Sequence, residues 1–465
     1  MSQKNEIVPL VLSIIITLAV LAIGGWWVQK VSGDRSGDEK RVENSSSTSI
    51  EERISFGEKT LIPAQGSPEK RAGIEAIASG NFQSAVSNLE VALKAKKNDP
   101  EALIFLNNAR IGNQQNYTIA VIVPIGSELN GSLEILRGVA QAQNEINQAG
   151  GIKGIPLKVA IANDDDKPET ARKIATALVK KTELLAVVGP FSSDVSLEAG
   201  TVFKSGQLVA ISPTSTSIKL SNFSPYFFRT VPSDYVAARA LANYMVTKLQ
   251  QQNAAVFFNS QSAYSQSLKA EFVTAVSLGG GQVESEVDLS SSDFSAAQSV
   301  EQARKQGAQV LMLAANTATL DKALQVVQVN GKQLNLLAGD DVYTKKTLEV
   351  GREAGVGMVV AVPWHIGNSK SDFPRTSKQL WNADVNWRTA LSYDATRALI
   401  AALQRNPTRT GVQQALASSE FSTTGASGVI RFLPSGDRNA TVQLVKIVPG
   451  NRSRTGYDFA PVPQQ

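Results

Sequence analysis

Two hydroxyl-rich segments are the strongest candidates for chemistry in this 465-residue chain. The first contains Ser192 and Ser193 and follows the apolar run at 184–189; the second follows the apolar run at 208–211. Free backbone amides at a helix start attract an anion, and serine or threonine hydroxyls add side-chain donors. The second segment supplies Thr214, Ser215 and Thr216. Together they predict a cradle for a carboxylate.

Helix capping is the alternative for each segment, because Ser and Thr are also the residues that a helix start prefers for its own amides. One such segment alone would be interpreted as a cap. The occurrence of two, at the ends of consecutive predicted strands, favours binding.

An acidic residue and an aromatic residue follow later strands. Asp341 comes after the apolar run at 334–339 and could pair with an ammonium group, with Asp340 as the alternative acceptor. A cap for the helix near Thr344 is the other interpretation of Asp341. Tyr264 lies in the loop region after a further strand and could close over a ligand with its ring.

The composition excludes several classes of function. The chain has no Cys and one His, which removes disulfides, thiolate catalysis, thiolate zinc sites and most acid–base constellations. The single His365 is interpreted as a strand-end residue. The formal net charge is +5, but the basic residues are scattered, so nucleic acid is not expected as a partner. No phosphate loop or nucleophile–histidine pair is found, so we expect neither enzymatic activity nor a cofactor.

Alternating apolar and amphipathic runs must position these side chains. Buried strands are predicted at 119–123, 157–162, 184–189, 208–212, 254–258, 283–287, 310–313 and 334–338, with helices at 133–148, 168–180, 195–204, 265–278 and 318–329. Repeated strand–helix units predict parallel sheets with right-handed crossovers, and two series predict two α/β lobes. Ligands of such sheets bind beyond the carboxyl ends of the strands, where the candidate residues lie.

The chain begins with features of a different kind. No charged residue occurs from Ile7 to Gln29, which predicts a transmembrane anchor over residues 1–30, a cleaved signal peptide being the alternative. Residues 31–67 are predicted to be a flexible linker. Helical periodicity over 68–113 resembles one tetratricopeptide repeat, and a plain helical spacer is the alternative.

An ordered series of motifs over 117–448 resembles the type I periplasmic solute-binding proteins of the leucine/isoleucine/valine-binding branch. The series comprises Ala149 to Leu157, Asp164-Asp165, Gly189 with Ser192-Ser193, Ile211-Ser212-Pro213 with Thr216, Phe228-Arg229-Thr230, and Gly425 to Gly428 with Phe432, Gly436 and Asp437. The resemblance implies a hinged, two-lobed binder of small polar solutes. Lobe 1 would comprise about 117–233 and 365–420, lobe 2 about 234–364 and 421–448, and 449–465 would be a tail.

The resemblance also implies roles for single residues. Ser193 and Thr216 resemble the donors to a ligand α-carboxylate, with Thr214 giving a backbone contact. Asp341 resembles the acceptor of the α-ammonium, and Tyr264 the aromatic of the far lobe. Three residues stand where relatives carry aromatics, which favours a polar amino acid or an amide- or urea-like solute over an aliphatic one: Asn130, Asn316 and Thr317. The triplet Asp164-Asp165-Asp166 is interpreted as structural.

The expected function is therefore a membrane-anchored component of an ABC transporter, with its main domain in the periplasm or outside the cell. It would capture an amino acid or related solute and present it to a permease. A membrane-anchored sensor or cell-envelope regulator that uses the same fold without transport is the alternative.

Overall fold

The computed structural model describes residues 49–62 and 66–463. The predicted anchor, residues 1–30, and the linker residues 31–48 and 63–65 lie outside the described residues. Within the two described ranges, no helix combines the length and apolar character needed to cross a membrane.

The first lobe is built on a six-stranded sheet. Its strands are β1 (Ile54–Ser55), β2 (Tyr117–Val123), β3 (Leu157–Asn163), β4 (Leu184–Val188), β5 (Val209–Ser212) and β6 (Phe227–Arg229). They are ordered β1-β3-β2-β4-β5-β6. Strands β2 to β6 pair in parallel, and β1 adds an antiparallel edge. The helices before and between these strands are α1 (Pro68–Ala78), α2 (Phe82–Ala95), α3 (Pro100–Ile111), α4 (Leu129–Gln148), α5 (Pro168–Lys180) and α6 (Ser193–Ser205).

The second lobe is built on a seven-stranded sheet. Its strands are β7 (Asn253–Phe258), β8 (Gln282–Asp288), β9 (Val310–Ala314), β10 (Asn335–Ala338), β11 (Val359–Val362), β14 (Gln443–Pro449) and β15 (Tyr457–Pro461), and its helices are α7 (Asp234–Asn243), α8 (Ala263–Leu278), α9 (Ala296–Lys305), α10 (Leu320–Asn330) and α11 (Lys345–Gly355). The strand order is β15-β14-β11-β10-β9-β7-β8. A short hairpin precedes β14 in the chain, formed by β12 (Thr423–Gly425) and β13 (Gly428–Ile430).

The sheets are mixed, which corrects the expectation of purely parallel ones. Strand β14 pairs antiparallel with β11, and β15 pairs antiparallel with β14. The second sheet therefore extends into 449–465, the range assigned to a tail from the sequence. Likewise β1 lies within the predicted linker and pairs with β3. The hairpin β12–β13, assigned to lobe 2 from the sequence, is bonded to lobe 1, where Ala426 N donates to Asp394 at 2.5 Å.

Three further helices return the chain to the first lobe: α12 (Phe373–Trp381), α13 (Trp387–Arg405) and α14 (Arg409–Ala417). Helix α13 packs closely on α4 because Gly138 has no side chain. A Cβ there would overlap Ser392 Oγ and the carbonyl oxygen of Thr389. The threonine hydroxyl at the end of β6, Thr230 Oγ1, donates to Leu391 O at 2.8 Å and fixes α13 to the sheet.

The helical segment α1–α3 is fused to the first lobe. Helix α3 is buried along nearly its whole length, and Asn108 Nδ2 donates to Val159 O of β3 at 2.7 Å. Lys70 of α1 is 1% exposed and pairs with Asp99 and Glu101 at the start of α3, at 2.8 and 2.9 Å. The Lys70 pairs thus hold α1 to α3, and the contact of α3 with β3 makes the segment part of the lobe's core rather than a separate module.

Candidate ligand site between the lobes

A small cavity lies at the carboxyl ends of strands from both sheets. Its volume is about 30 Å³, which is space for roughly two water molecules. Most of the predicted ligand-binding residues line it, together with Asp340, the alternative acceptor, and three residues that were not predicted to bind. The lining residues are Asp166, Phe191, Ser192, Ser193, Thr214, Ser262, Tyr264, Asn316, Thr317, Asp340 and Asp341.

The hydroxyl-rich segments of the first lobe hold each other in place. Ser193 Oγ accepts a hydrogen bond from Ser217 N at 3.2 Å, so the start of α6 is joined to the loop after β5. Thr214 Oγ1 donates to Phe191 O at 2.6 Å, and Ser215 Oγ donates to the same carbonyl at 3.0 Å. The amino-terminal end of the 13-residue α6 faces the cavity through Ser193, so its dipole favours an anionic group there.

A buried arginine secures the second of these loops from behind. Arg229 is 1% exposed, and its guanidinium donates to the carbonyl oxygens of Ser215 and Ser217 at 3.3 and 2.8 Å. Its Nε donates to Asp437 Oδ1 at 2.7 Å. The close approach of Gly436 to the Phe227 carbonyl brings Asp437 within reach, since a Cβ at Gly436 would overlap that oxygen. The Arg229 motif thus positions the hydroxyl-rich loop.

The second lobe contributes carboxyl groups and an aromatic ring. Tyr264 Oη donates to Asp340 Oδ1 at 2.8 Å, which orients both side chains toward the cavity. Asp341 already has a cationic partner within the chain, because Arg388 Nη2 of α13 donates to its Oδ1 at 3.0 Å. The guanidinium of Arg388 therefore stands where the sequence places a ligand ammonium.

The lobes are in contact across this region. Asp194 of α6 accepts from Ala263 N of α8 at 3.0 Å, and Ile218 N donates to Ser267 Oγ at 3.0 Å. The Arg388–Asp341 pair is a third bond between the lobes. The small cavity is thus the interior of a closed cleft.

Burial shifts the pKa of the carboxyl groups around the cavity. It raises the pKa of Asp340 to about 7, with repulsion from Asp341 as the next cause. It raises the pKa of Asp166 to about 6, although a hydrogen bond with Ser192 opposes the shift. The pKa of Asp341 is also raised by burial, against the attraction of Arg388. The cleft therefore carries a strong negative charge when these groups are ionised.

The family of this chain follows from its similarity to known proteins. Residues 116–452, most of the chain, match the family model for periplasmic binding proteins. The chain belongs to the periplasmic binding protein family. Helices α1–α3 fall outside the matched region, and the tetratricopeptide likeness of that segment has no support from it.

Curated relatives of this periplasmic binding protein are named as binding proteins. An amino acid binding protein of Pseudomonas aeruginosa is 32% identical over 133 residues, which cover 28% of this chain and 35% of the relative. The Leu/Ile/Val-binding protein homolog 3 of Brucella melitensis is 28% identical over 165 residues, covering 35% and 44% of the two chains. The chain thus matches less than half the length of either relative.

Solved structures establish the fold more completely. The ABC transporter substrate-binding protein of Desulfitobacterium hafniense, in complex with Leu, is 21% identical with a TM-score of 0.63, covering 74% of this chain and all of that one. LivJ of Streptococcus pneumoniae, in complex with isoleucine, is 18% identical with a TM-score of 0.65, covering 75% of this chain and all of the other. Both likenesses concern the two-lobed fold.

Three predicted residues of the binding protein do not line the cavity. Asn130 is exposed near the start of α4. Ser215 lies behind the cradle, where its Oγ lies 2.8 Å from Ser196 Oγ. Thr216 is 5% exposed, and its hydroxyl lies beside the buried carboxyl group of Asp234. Their proposed contacts with a ligand therefore require the cleft to rearrange.

The acidic triplet after β3 has a mixed role. Asp164 and Asp165 are structural as predicted: Asp164 Oδ1 accepts from Asp166 N at 3.0 Å, and Asp165 pairs with Arg53 at 2.7 Å. Asp166 differs, because it lines the cavity. The position of Asp166 just after a predicted strand is the sequence feature that could have identified it as a cavity residue. Arg388 gave no such signal, because it lies 47 residues from Asp341 on a helix of the other lobe.

The single histidine and metal binding can be treated briefly. His365 follows β11, as expected for a strand-end residue, and its Nδ1 accepts from Gly367 N at 3.1 Å. Burial and the charge of Arg452 lower its pKa to about 4. Within residues 49–62 and 66–463, no group of His, Cys, Asp or Glu side chains is arranged to hold a metal ion.

Proposed function

We propose that this protein is the solute-binding component of an ABC transporter and captures an amino acid or related small polar solute by hinge closure. The observation that supports it most directly is the convergence of hydroxyls from the first lobe and carboxyls from the second on one cavity between them. A zwitterion presents a carboxylate and an ammonium, which these two surfaces complement. The family membership and the names of the relatives agree with this proposal.

Capture requires the cleft to open. A cavity of about 30 Å³ is far below the roughly 300 Å³ of a typical small-ligand pocket. A solute would enter the open form, meet Ser193 and the amides at the start of α6, and then be enclosed by Tyr264 and Asp341. The ligand favours closure only by the difference in its affinity for the two forms. Its ammonium would also compete with Arg388 for Asp341.

The same proposal includes attachment to a membrane. Residues 1–30 would anchor the binding domain on the outer side of the membrane, near a permease, with α1–α3 as a rigid spacer on the first lobe. Fractionation of cells expressing the full chain tests this. We expect the protein in the membrane fraction and a variant beginning at residue 49 in the soluble fraction. Recovery of the full chain in the soluble fraction would contradict an uncleaved anchor.

A panel of amino acids and amides tests ligand capture. A ligand present at a hundredfold excess over its dissociation constant should raise the free energy of unfolding by about 2.7 kcal/mol, visible as a thermal shift. Calorimetry with the best ligand should then show at least about tenfold weaker binding for Ser193→Ala, because hydrogen bonds to charged groups contribute about 1.5–3 kcal/mol. The matched control is Ser205→Ala at the exposed far end of α6, where affinity should not change.

A regulator that binds no solute is the second candidate. The bond between Arg388 and Asp341 favours it, because the chain itself supplies the cation for the proposed ammonium acceptor. This candidate predicts no thermal shift with any member of the panel. That result would reject solute capture, whereas a saturable shift would reject the regulator.

A further inference from the structure

Carboxyl groups dominate the charge of the cavity. Asp166 comes from the loop after β3, and Asp340 and Asp341 come from the turn after β10, so the acids approach from both lobes. None of the described residues that line the cavity is Lys or Arg. A binder of neutral zwitterions needs one acid for the ammonium. This cavity is lined by three carboxyl groups.

Two of these carboxyls have no ion pair with a Lys or Arg in the described part of the chain. Asp341 is paired with Arg388. Asp340 accepts a hydrogen bond from the neutral phenol of Tyr264. Asp166 Oδ1 is buried without a hydrogen-bond partner among the described residues, although Ser192 bonds the same carboxyl group. The unpartnered oxygen belongs to a residue of the cavity wall and marks a place for a donor from the ligand.

Neighbouring negative charges make it still less favourable to bury Asp166 and Asp340 without a cation. Asp166 is repelled by Asp341, Asp194 and Glu128. Asp340 is repelled by Asp341 and Asp234, and the hydrogen bond from Tyr264 and the charge of Arg388 oppose this. Closing the cleft brings these groups together, so closure is unfavourable unless protons or a cation neutralise them.

We propose that the solute of this site is cationic: an amino acid whose basic side chain, an ammonium or guanidinium, binds between Asp166 of the first lobe and Asp340 of the second. The proposal rests on the proposed function, since the hydroxyl-rich segments would hold the α-carboxylate and Asp341 the α-ammonium. An aliphatic side chain in the same place would leave both carboxyls buried without a partner, which is costly. The basic group would instead bridge the lobes and favour the closed form.

Calorimetry at pH 7.5 with L-arginine, L-lysine, L-leucine and L-glutamine tests the charge preference. We expect the tighter of arginine and lysine to bind at least tenfold more strongly than leucine or glutamine. Repeating the titration in buffers of different ionisation enthalpy should show proton release, because the cation displaces protons from the acidic cleft. Equal or tighter binding of a neutral amino acid would overturn the cationic assignment and leave solute capture intact. Binding of none of the four, nor of any member of the wider panel, would instead reject solute capture.

Substitutions of the cavity carboxyl groups test where the basic side chain of the ligand binds. Asp166→Asn removes one charge from the cavity and should reduce the preference for the cationic ligand over glutamine by at least tenfold. Asp340→Asn should do the same from the other lobe and replaces the first variant if that one fails to fold. The matched control is Asp293→Asn, an exposed change of the same kind outside the cavity, which should keep the preference. An unchanged preference in both cavity variants would overturn the assignment.

Discussion

Arg229 illustrates how a single residue controls the candidate site without touching the cavity. Its guanidinium bonds two carbonyls of the hydroxyl-rich loop and the carboxylate of Asp437. Arg229→Met would leave Asp437 unpaired at a part-buried position and free the loop. Removing one partner of a buried pair costs about 3–5 kcal/mol. We expect a loss of that order in the free energy of unfolding, measured by urea denaturation.

The control for this change is a surface arginine. Arg172 pairs with Glu198 at 3.2 Å, but its side chain is 55% exposed. Arg172→Met should therefore cost less than about 1 kcal/mol. Similar losses in the two variants would show that Arg229 does not have the positioning role that its contacts indicate.

Residues at strand ends were predictable, and residues from distant elements were not. Ser193, Thr214 and Asp341 each follow a strand whose apolar run is plain in the sequence, so the geometry of a parallel sheet placed them near the cleft. Arg388 reaches Asp341 from a helix that belongs to the other lobe. The closed contact between the two lobes brings them together, and no local pattern encodes that contact.

Some strands could be predicted from the sequence and others could not. The strands β2 to β5, β7, β9 and β10 were predicted because each is a largely buried run between helices of clear periodicity. Strand β8 was also predicted, although none of its residues is buried. The strands β14 and β15 were not predicted, because their partly exposed faces give no continuous apolar run. Strand β1 has two residues, too few for any period.

The packing of α1 against α3 depends on one buried cation. Lys70 stands between Asp99 and Glu101, and Glu101 also accepts from the backbone amide of Leu61 at 2.7 Å. Lys70→Met would leave two buried carboxylates facing each other. We expect a loss of about 3–5 kcal/mol in the free energy of unfolding. Hydrogen exchange should rise first in α1 and α3.

Lys94→Met provides the comparison within the same segment, since Lys94 is exposed on α2. It should leave stability within about 0.5 kcal/mol of the parent. Unchanged exchange in α1 and α3 of the Lys70 variant would contradict the interpretation that this cluster holds α1 to α3.

At the scale of the whole molecule, closure and acidity are linked. The lobes meet through Asp194–Ala263, Ile218–Ser267 and Arg388–Asp341, and the first and last of these use carboxylates of the cleft. Closing the cleft without a ligand therefore concentrates negative charge. A closed, unliganded molecule must retain protons on some of its acids, so its stability should depend on pH.

The sign of that dependence follows from the raised pKa values. Burial raises the pKa of Asp164, Asp234 and Asp340 to about 7, against about 3.8 for an unperturbed aspartate. The folded protein then holds protons that the unfolded chain has lost, so stability falls as pH rises from about 4 through about 7. His365 acts oppositely, because its lowered pKa, about 4, reduces stability as pH falls below 6.5. The three carboxyl groups outnumber this single histidine, so the net effect is a fall in stability as the pH rises.

We therefore expect the unliganded protein to resist urea better at pH 5.5 than at pH 7.5. Asp234→Asn should reduce this difference, because Asn is neutral at both values and its amide oxygen can still accept from the neighbouring hydroxyls of Ser267 and Thr216. The exposed change Asp293→Asn should preserve it. Denaturation midpoints of the three proteins at both pH values make the comparison. Stability that is constant or rises between pH 5.5 and 7.5 would mean that the buried carboxyls are ionised in the folded state, and closure would then not require protons or a cation.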